Sequence, residues 1–399
     1  MNTKLLILLF VLIGFAGLTV TSITPALSSI ALGLKTDIHL VESALGVFFA
    51  GFALGVCFWG IIADKRGRRF SMLSGLFIYC LATFLCAFST TILQYWILNF
   101  IQAFAIATCS VITLTVFRDL CEEKERAHIF SIVSIAIAFS PAIGPLLGTW
   151  INAQYDWQTI YFALTLASFI MLIVSLFFFP ETRKTQDNAS SQLLPLVRIM
   201  LKDRLVLGTS ALIGICNASL FCFFAEAPFI FVENLGISLD YYAWIGCTAS
   251  IAFLLAGVVG RKRLLRCAPE TIIHQGATLL VLGALSYAIS TAIVSFFELT
   301  GLIPTAVFVA CLFILFFGVG LIIPNCLSIA LKAYSNQVGS AGSIFGCAYY
   351  VVISLITAAM SLLHNGTMYP LPFYLASICI SAFIIAQKTV PIAAIGEQV

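Results

Sequence analysis

Long apolar runs that contain no lysine or arginine are the feature that most constrains this chain. Each run has about 20 residues or more, which is the length that an α-helix needs to cross a bilayer, whereas β-barrel strands are near ten residues long and alternate in polarity. The runs therefore predict an all-α membrane protein with twelve transmembrane helices. They cover residues 5–31, 43–63, 70–89, 92–117, 127–152, 158–180, 206–232, 241–260, 271–296, 302–331, 338–363 and 370–387.

The composition supports this fold class and excludes others. Of the 399 residues, 61% are hydrophobic and 9% are charged, against about 25% charged in an ordinary soluble domain. This leaves too little polar surface for a soluble enzyme, a secreted disulfide scaffold or a disordered protein. We also expect no membrane enzyme, because no cluster of catalytic groups lies at one depth. The first run is like a signal peptide, but Pro25 interrupts a longer helix and eleven runs follow, so we predict a retained span.

Lysine and arginine mark the predicted cytoplasmic side. With the N-terminus inside, 19 of the 20 basic residues fall on one side of the membrane and only Lys35 falls on the other. Basic residues concentrate in cytoplasmic loops, so this distribution predicts an even number of spans with both termini in the cytoplasm.

The chain is expected to divide into two similar halves. The longest polar stretch, 181–204, lies between the sixth and seventh runs and is typical of a cytoplasmic linker loop. Gly60 recurs as Gly260, at the same place in the opposite half. We therefore predict an N-terminal six-helix bundle over 1–180 and a C-terminal six-helix bundle over 205–399, related as pseudo-symmetric parallel repeats.

A charged signature follows the second run, where residues 60–69 read Gly-Ile-Ile-Ala-Asp-Lys-Arg-Gly-Arg-Arg. Its glycines permit close helix approach and a tight turn, and Asp64 at a helix end can pair with Arg68. We interpret the segment as a gating motif that breaks and re-forms, with a simple positive-inside loop as the alternative. The residues assigned to it are Gly60, Asp64, Arg66, Gly67, Arg68 and Arg69.

This signature resembles the one that the major facilitator superfamily carries between its second and third spans. In the fifth run, 140–148 read Ser-Pro-Ala-Ile-Gly-Pro-Leu-Leu-Gly, which is similar to a motif of the superfamily's drug:proton antiporters. With 118–120, 157–161 and 180–182 as context, the chain resembles their Bcr/CflA-type branch. The residues of the antiporter-like motif are Pro141, Gly144, Pro145 and Gly148. The resemblance implies alternating access in the cytoplasmic (inner) membrane of a bacterium.

The chain departs from that branch at the positions linked to proton coupling. The branch usually has an aspartate in span one a few residues before Pro-Ala-Leu, and here Thr21 stands four residues before Pro25. Where the superfamily has an arginine in span four, this chain reads Leu-Asn-Phe-Ile-Gln over 98–102, and a further arginine usual in the branch is replaced by Leu114. The first half therefore has no charge at membrane depth.

Glu226 is the one acidic residue that we place well inside a predicted span. Burial of an ionised carboxylate is costly, so the protonated form competes and the residue is suited to exchange a proton. The alternative is a structural glutamate, protonated or hydrogen-bonded near the interface. Ser219 and Phe223 share its helical face and predict a polar stripe.

Other polar residues within the runs are candidates for a substrate cavity. Asn99 and Gln102 share a helical face and would offer neutral hydrogen bonds to a polar solute, while interhelical hydrogen bonding is the alternative. The four histidines, among them His364, are interpreted as interfacial. The full set of cavity candidates is Thr21, Asn99, Gln102, Thr113, Asn217, Ser219, Phe223 and Asn325.

The thirteen cysteines include no CxxC pair and no Cys/His set with metal spacing. We expect them to pack as small apolar side chains without disulfides. We predict no metal and no cofactor, with a proton gradient as the energy source. The expected partners are a small-molecule substrate and the lipid bilayer, with no nucleic acid, and the protein is expected to be a monomer.

The function that these observations favour is proton-coupled efflux of small organic or amphipathic compounds, in which Glu226 exchanges the proton. The alternative is a dedicated importer or exporter of one polar metabolite, such as a siderophore or an amino-acid-like solute. The missing span-one aspartate and span-four arginine favour that alternative, because Asn99 and Gln102 suit a neutral or polar ligand better than a cationic drug.

Overall fold

The computed structural model describes residues 3–120, 143–183 and 193–391, and these form helices joined by short turns. The helices are α1 (Thr3–Ile23), α2 (Leu27–Leu34), α3 (Ile38–Arg66), α4 (Arg68–Cys86), α5 (Ile92–Leu120), α6 (143–154), α7 (Gln158–Phe178), α8 (Leu193–Met200), α9 (Arg204–Pro228), α10 (Leu239–Ile245), α11 (Cys247–Leu264), α12 (Pro269–Phe296), α13 (Leu302–Ala330), α14 (Val338–Leu363) and α15 (Pro370–Thr389). A 3-10 turn over Thr24–Ala26 joins α1 to α2, a π-helical turn over Phe229–Asn234 follows α9, and a 3-10 turn over Lys332–Gln337 precedes α14.

Ten helical stretches of the described residues are long and apolar enough to span a membrane, which confirms the predicted class of all-α membrane protein. The fifth run is described only from residue 143 onward, as α6. The eighth run is the exception, because it breaks at Gly246 between α10 and α11. The basic residues that end α11 leave a shorter apolar helix than the sequence predicts.

Contacts divide the chain into two compact units. One combines Met1–Arg198 with Gln337–Ser361, and the other combines Ile199–Asn336 with Leu362–Val399. The boundary after Arg198 falls inside the predicted linker, which contains the short helix α8. The assignment of 337–361 to a C-terminal six-helix bundle stays a prediction, since most of α14 belongs to the first unit.

Helix α14 joins the first unit through direct contacts with α3. The hydroxyl of Ser354 donates to the carbonyl of Gly46 at 2.7 Å. The ring centroids of Phe52 and Tyr350 are 4.4 Å apart. These contacts are the physical reason why most of α14 belongs to the first unit rather than to the unit of the later helices.

The start of α3 corrects one expectation about acidic residues. The sequence places the second span at 43–63, but the helix begins at Ile38 and includes Glu42, which is 2% exposed. Glu226 is therefore not the only acidic residue buried inside a span. The error arose because the polar residues that precede residue 43 are part of the helix.

Candidate functional site

Glu226 lies near the C-terminal end of α9, a helix that is anchored at its other end. Asp203 precedes the helix, and its Oδ1 accepts from the backbone N–H groups of Leu205 at 2.9 Å and Val206 at 3.3 Å, as an N-cap does. Its Oδ2 accepts from the Tyr334 hydroxyl at 2.9 Å. Asp203 therefore sets the residue at which α9 begins, and Glu226 lies near the opposite end of the same helix.

The carboxylate of Glu226 pairs with His364, the first residue after α14. The imidazole Nδ1 lies 3.1 Å from both Oε1 and Oε2 of Glu226. The two side chains are 3% and 6% exposed respectively. With Nδ1 protonated, the imidazole donates to both carboxylate oxygens, so the pair is a buried, hydrogen-bonded acid–base couple.

Phe229 contacts this pair, and Tyr287 is a further buried aromatic residue of the second unit. The ring of Phe229 contacts the imidazole of His364 edge-on, with centroids 4.8 Å apart. Tyr287 of α12 is fully buried, and its ring contacts that of Phe308 edge-on, with centroids 5.1 Å apart. That hydroxyl has no hydrogen-bond partner among the described residues. A buried hydroxyl without a partner is costly, which makes Tyr287 a candidate polar contact in the second unit.

A histidine–carboxylate couple can take up and release a proton without unfolding its surroundings. Histidine changes charge near neutral pH in its ordinary state. When two such groups interact strongly, the proton belongs to the pair rather than to one residue. Glu226 and His364 are groups of these two kinds, held in direct contact.

His364 is the functional candidate that the sequence interpretation missed. Its side chain is 6% exposed and lies 3.1 Å from the carboxylate of Glu226, a residue 138 positions earlier in the chain. A signal was present, since the predicted topology places Glu226 and His364 near the outer ends of two spans. Only the packing of the second unit shows that the two ends meet.

The charged signature forms a separate ionic cluster in the first unit, centred on Arg68. The pairing expected between Asp64 and Arg68 is present, with Oδ1 2.9 Å from Nη1. The Nε of Arg68 lies 3.2 Å from Oδ2 of Asp119, which also accepts from the Thr182 hydroxyl at 2.9 Å. Nη1 donates to the carbonyl of Ala63 at 2.8 Å. The guanidinium thus binds the ends of two helices.

Glu181 caps the helix that the signature opens. Its carboxylate accepts from the backbone N–H groups of Arg68 at 2.9 Å, Arg69 at 3.1 Å and Arg183 at 3.0 Å. Partial burial raises the pKa of Glu181, but these three N–H donors, with the charge of Arg68, outweigh it and hold the pKa below the ordinary glutamate value. An anion at a helix N-terminus is stabilised by the helix dipole in the same way.

The cluster joins the signature 60–69 to 118–120 and 180–182, two segments that served only as context for the resemblance. Roles for Asp119 and Glu181 were not predicted. Spacing along the chain gives no sign that the ends of α5 and α7 meet the start of α4.

The remaining signature residues have more local contacts. The guanidinium of Arg66 lies 5.5 Å from the ring centroid of Phe70. Arg69 donates to the carbonyl of Leu176 at 2.7 Å. Gly60 faces the side chain of Ser343 so closely that a Cβ would lie 2.7 Å from its hydroxyl.

The antiporter-like motif packs its glycines against α1. A Cβ at Gly144 would collide with the hydroxyl of Thr21, and one at Gly148 would collide with the carbonyl of Ser22. Pro145 is buried in α6, and Pro141 lies outside the described residues. The position where the branch carries an aspartate, Thr21, is therefore filled here by a fully buried threonine in a tight helix contact.

The other cavity candidates are mostly buried, and several donate to their own helix. The donors are Asn99 to Tyr95 at 2.8 Å, Asn217 to Ile213 at 2.9 Å, Ser219 to Ile215 at 2.8 Å and Asn325 to Leu321 at 2.7 Å. Phe223 packs against other rings, among them Phe316 with centroids 5.3 Å apart. Gln102 donates to the Thr83 hydroxyl of α4 at 2.8 Å. The Oε1 of Gln102 and the hydroxyl of Thr113 have no hydrogen-bond partner among the described residues.

Ten membrane-length helices among the described residues, a buried pair of Glu226 and His364 and an ionic cluster at helix ends are features of a multi-pass membrane protein of the transporter type. Comparison with known proteins agrees. The family model "Major Facilitator Superfamily" matches residues 9–386. The chain belongs to the major facilitator superfamily, and it is a transporter rather than an enzyme.

Individual relatives and solved structures are similar over nearly the whole chain. An "Uncharacterized transporter" of Rickettsia felis is 29% identical over 355 residues, which are 88% of this chain and 87% of the relative. The "Bicyclomycin resistance protein homolog" of Haemophilus influenzae is 22% identical over 368 residues, 91% of this chain and 89% of the relative. The crystal structure of a D-xylose–proton symporter has a TM-score of 0.77 at 14% identity, over 97% of this chain and 98% of that one. The resemblance to the superfamily and its Bcr/CflA-like members is thereby confirmed.

Proposed function

We propose that this transporter exports small organic or amphipathic compounds in exchange for protons, by alternating access. The observation that carries the proposal is the buried pair of Glu226 and His364 in the second unit, where the imidazole Nδ1 lies 3.1 Å from both carboxylate oxygens. A buried ionisable group inside a membrane is costly and marks a functional site by default. A couple that binds one proton supplies what a proton-driven transporter requires.

Aromatic side chains in the first unit support an amphipathic substrate. Phe49 and Phe52 of α3 contact the ring of Tyr350, which also packs on Tyr349 with centroids 4.4 Å apart. Both tyrosines are only half-buried. Aromatic faces of this kind bind apolar and cationic organic groups, and a relative is named for bicyclomycin resistance.

The proposed setting is the cytoplasmic membrane of a bacterium, with both termini in the cytoplasm, as the lysine and arginine distribution favours. In this orientation the Arg68 cluster lies on the cytoplasmic side and Glu226 lies toward the outside. We assign to the cluster the closing of the inward gate, and to Glu226 and His364 the exchange of the proton. The protein would need no cofactor and no metal, and it would work as a monomer.

The test is counterflow in proteoliposomes and drug tolerance in an efflux-deficient bacterial host. Wild type is compared with Glu226→Gln and His364→Asn at matched membrane levels. Glu233→Gln is the matched control, because Glu233 follows seven residues later in the π-helical turn and is exposed. A pH gradient provides the driving force, and entry of protons on addition of substrate is followed with a trapped pH dye.

We expect Glu226→Gln to insert and fold but to lose uphill transport and substrate-linked proton movement, while Glu233→Gln retains both. Facilitated exchange of labelled substrate without a gradient should survive, because it needs no net proton transfer. Uphill transport by Glu226→Gln at the wild-type rate would remove this residue from the mechanism.

A second candidate function is transport of one polar metabolite. The buried Oε1 of Gln102 and the Thr113 hydroxyl, both without partners among the described residues, favour it. Neutral hydrogen-bonding atoms suit an uncharged or zwitterionic solute. Resistance to no compound at all, despite good expression, would favour this candidate over drug efflux.

A further inference from the structure

Helices α3 and α14 approach each other closely along much of their length in the first unit. A Cβ at Gly46 would lie 2.7 Å from the Cβ of Ala358, and one at Gly346 would lie 3.1 Å from a methyl carbon of Val56. Small residues on both helices bring the backbones together. Side chains that face across this contact are therefore held near each other.

Cys57 and Cys347 face across the same contact. The Cys57 thiol donates to the carbonyl of Ser343 at 3.9 Å. In an α-helix, that carbonyl points at the N–H of the residue four positions later, which here is Cys347. The Cys57 thiol therefore lies against the turn of α14 that carries Cys347.

These two thiols also differ from most described cysteines in their accessibility. Both are free and half-buried, whereas Cys86, Cys109 and Cys216 are fully buried. Reagents of small size reach a half-buried thiol, and reactivity requires such access. The structure therefore combines proximity with exposure at one pair.

We propose that Cys57 and Cys347 are an oxidisable dithiol, which electrophilic two-electron oxidants convert to a disulfide that joins α3 to α14. With an azo oxidant such as diamide, the sulfur of one cysteine adds to a nitrogen of the N=N bond. The second thiol then attacks that sulfur, the S–N bond breaks and the S–S bond forms. The two thiols lose two electrons and two protons, and the azo group gains them as a hydrazine.

The consequence for transport rests on the proposed function. Alternating access requires helices to move against one another. A covalent bond between α3 and α14 removes that freedom, so oxidation should slow transport and reduction should restore it. The thiol pair is in this sense a modification site with a direct effect on the transport cycle.

The test treats the purified full-length protein in proteoliposomes with diamide and maps its peptides under non-reducing conditions. Wild type is compared with Cys57→Ala, Cys347→Ala and the matched control Cys80→Ala. Cys80 is also half-buried, but its thiol donates to the carbonyl of Thr165 at 3.8 Å. Transport is measured in the same vesicles before oxidation, after oxidation and after dithiothreitol.

We expect a peptide that links Cys57 to Cys347 in wild type and in Cys80→Ala, and none in the two single variants. Transport should fall roughly tenfold on oxidation where the link forms, and recover on reduction. The absence of the linked peptide, or a linked protein that transports at the full rate, would overturn the proposal. Absence of transport in the reduced wild type would instead contradict the proposed function, and peptide mapping reports on the dithiol independently of it.

Discussion

The carboxylate of Glu181 occupies the space that a side chain at Gly67 would need. A Cβ added at Gly67 would collide with Oε2 of Glu181 and lie 3.1 Å from Oε1. The backbone of Gly67 also has a φ of 103°, which L side chains rarely adopt. Glycine at this position therefore provides both the turn into α4 and the room for the anion that caps it.

Substitution Gly67→Ala should lower the free energy of unfolding by about 1–3 kcal/mol, because the backbone is strained and the Glu181 cap is displaced. Thermal unfolding in detergent measures the change. Gly366→Ala is the matched control, since Gly366 has a φ of 74° and nothing within 4 Å of an added Cβ. It carries the backbone strain without the collision, so an equal loss in both variants would contradict the role given to Glu181.

The contribution of Glu181 should depend on pH. Its pKa is lowered in the folded protein, so its stabilisation is present above the ordinary glutamate pKa and is lost as pH falls through the folded value. Wild type should therefore unfold at a higher temperature than Glu181→Gln at neutral pH, and the difference should shrink below about pH 4. A difference in unfolding temperature that grows on acidification would contradict a lowered pKa for Glu181.

Neutralisation of Asp119 should be more costly than neutralisation of Asp64. The two side chains are 21% and 40% exposed, and Asp119 also accepts from Thr182. We expect Asp119→Asn to lower the free energy of unfolding by about 1.5–3 kcal/mol, against about 0–1 kcal/mol for Asp64→Asn. Thermal unfolding of both variants at two salt concentrations tests this, and the Asp64 effect should weaken more at high salt. The reverse order of losses would contradict the assigned contacts.

Removal of the Tyr287 hydroxyl should slow transport without lowering the stability of the protein. The hydroxyl has no partner among the described residues, so Tyr287→Phe should leave stability unchanged or raise it by about 1 kcal/mol. Transport should slow, because we assign this unpartnered buried hydroxyl to the proposed proton site of the same unit. Tyr161→Phe is the control, since the Tyr161 hydroxyl donates to that of Tyr95 at 2.7 Å and its loss should destabilise the protein by about 1 kcal/mol. Full transport by Tyr287→Phe would exclude this hydroxyl from the proton site.

The membrane fold could be predicted from the sequence because the bilayer imposes one length on every span. The pairing of Asp64 with Arg68 could also be predicted, since residues four apart on a helix are neighbours. The break at Gly246 was not, because the eighth apolar run is continuous in composition. Nor was the burial of Glu42, which depends on a helix that begins before its apolar run does.

The candidate sites were harder to predict because they depend on contacts distant in sequence. The helical period groups Asn99 with Gln102, yet the Asn99 amide bonds to the carbonyl of Tyr95 in its own helix. Such a choice depends on side-chain rotamers rather than on spacing. The partnership of Glu226 with His364 likewise depends on where α14 ends in space.

Asp203 and Glu226 stand at opposite ends of one helix, which at 1.5 Å per residue separates them by roughly 35 Å. At the Asp203 end, the carboxylate accepts hydrogen bonds from the backbone of α9 and from the hydroxyl of Tyr334. At the other end Pro228 interrupts the hydrogen-bond ladder and a π-helical turn follows. The start of α9 is therefore held by Asp203, whereas its regular α-helical geometry ends at Pro228, just beyond Glu226.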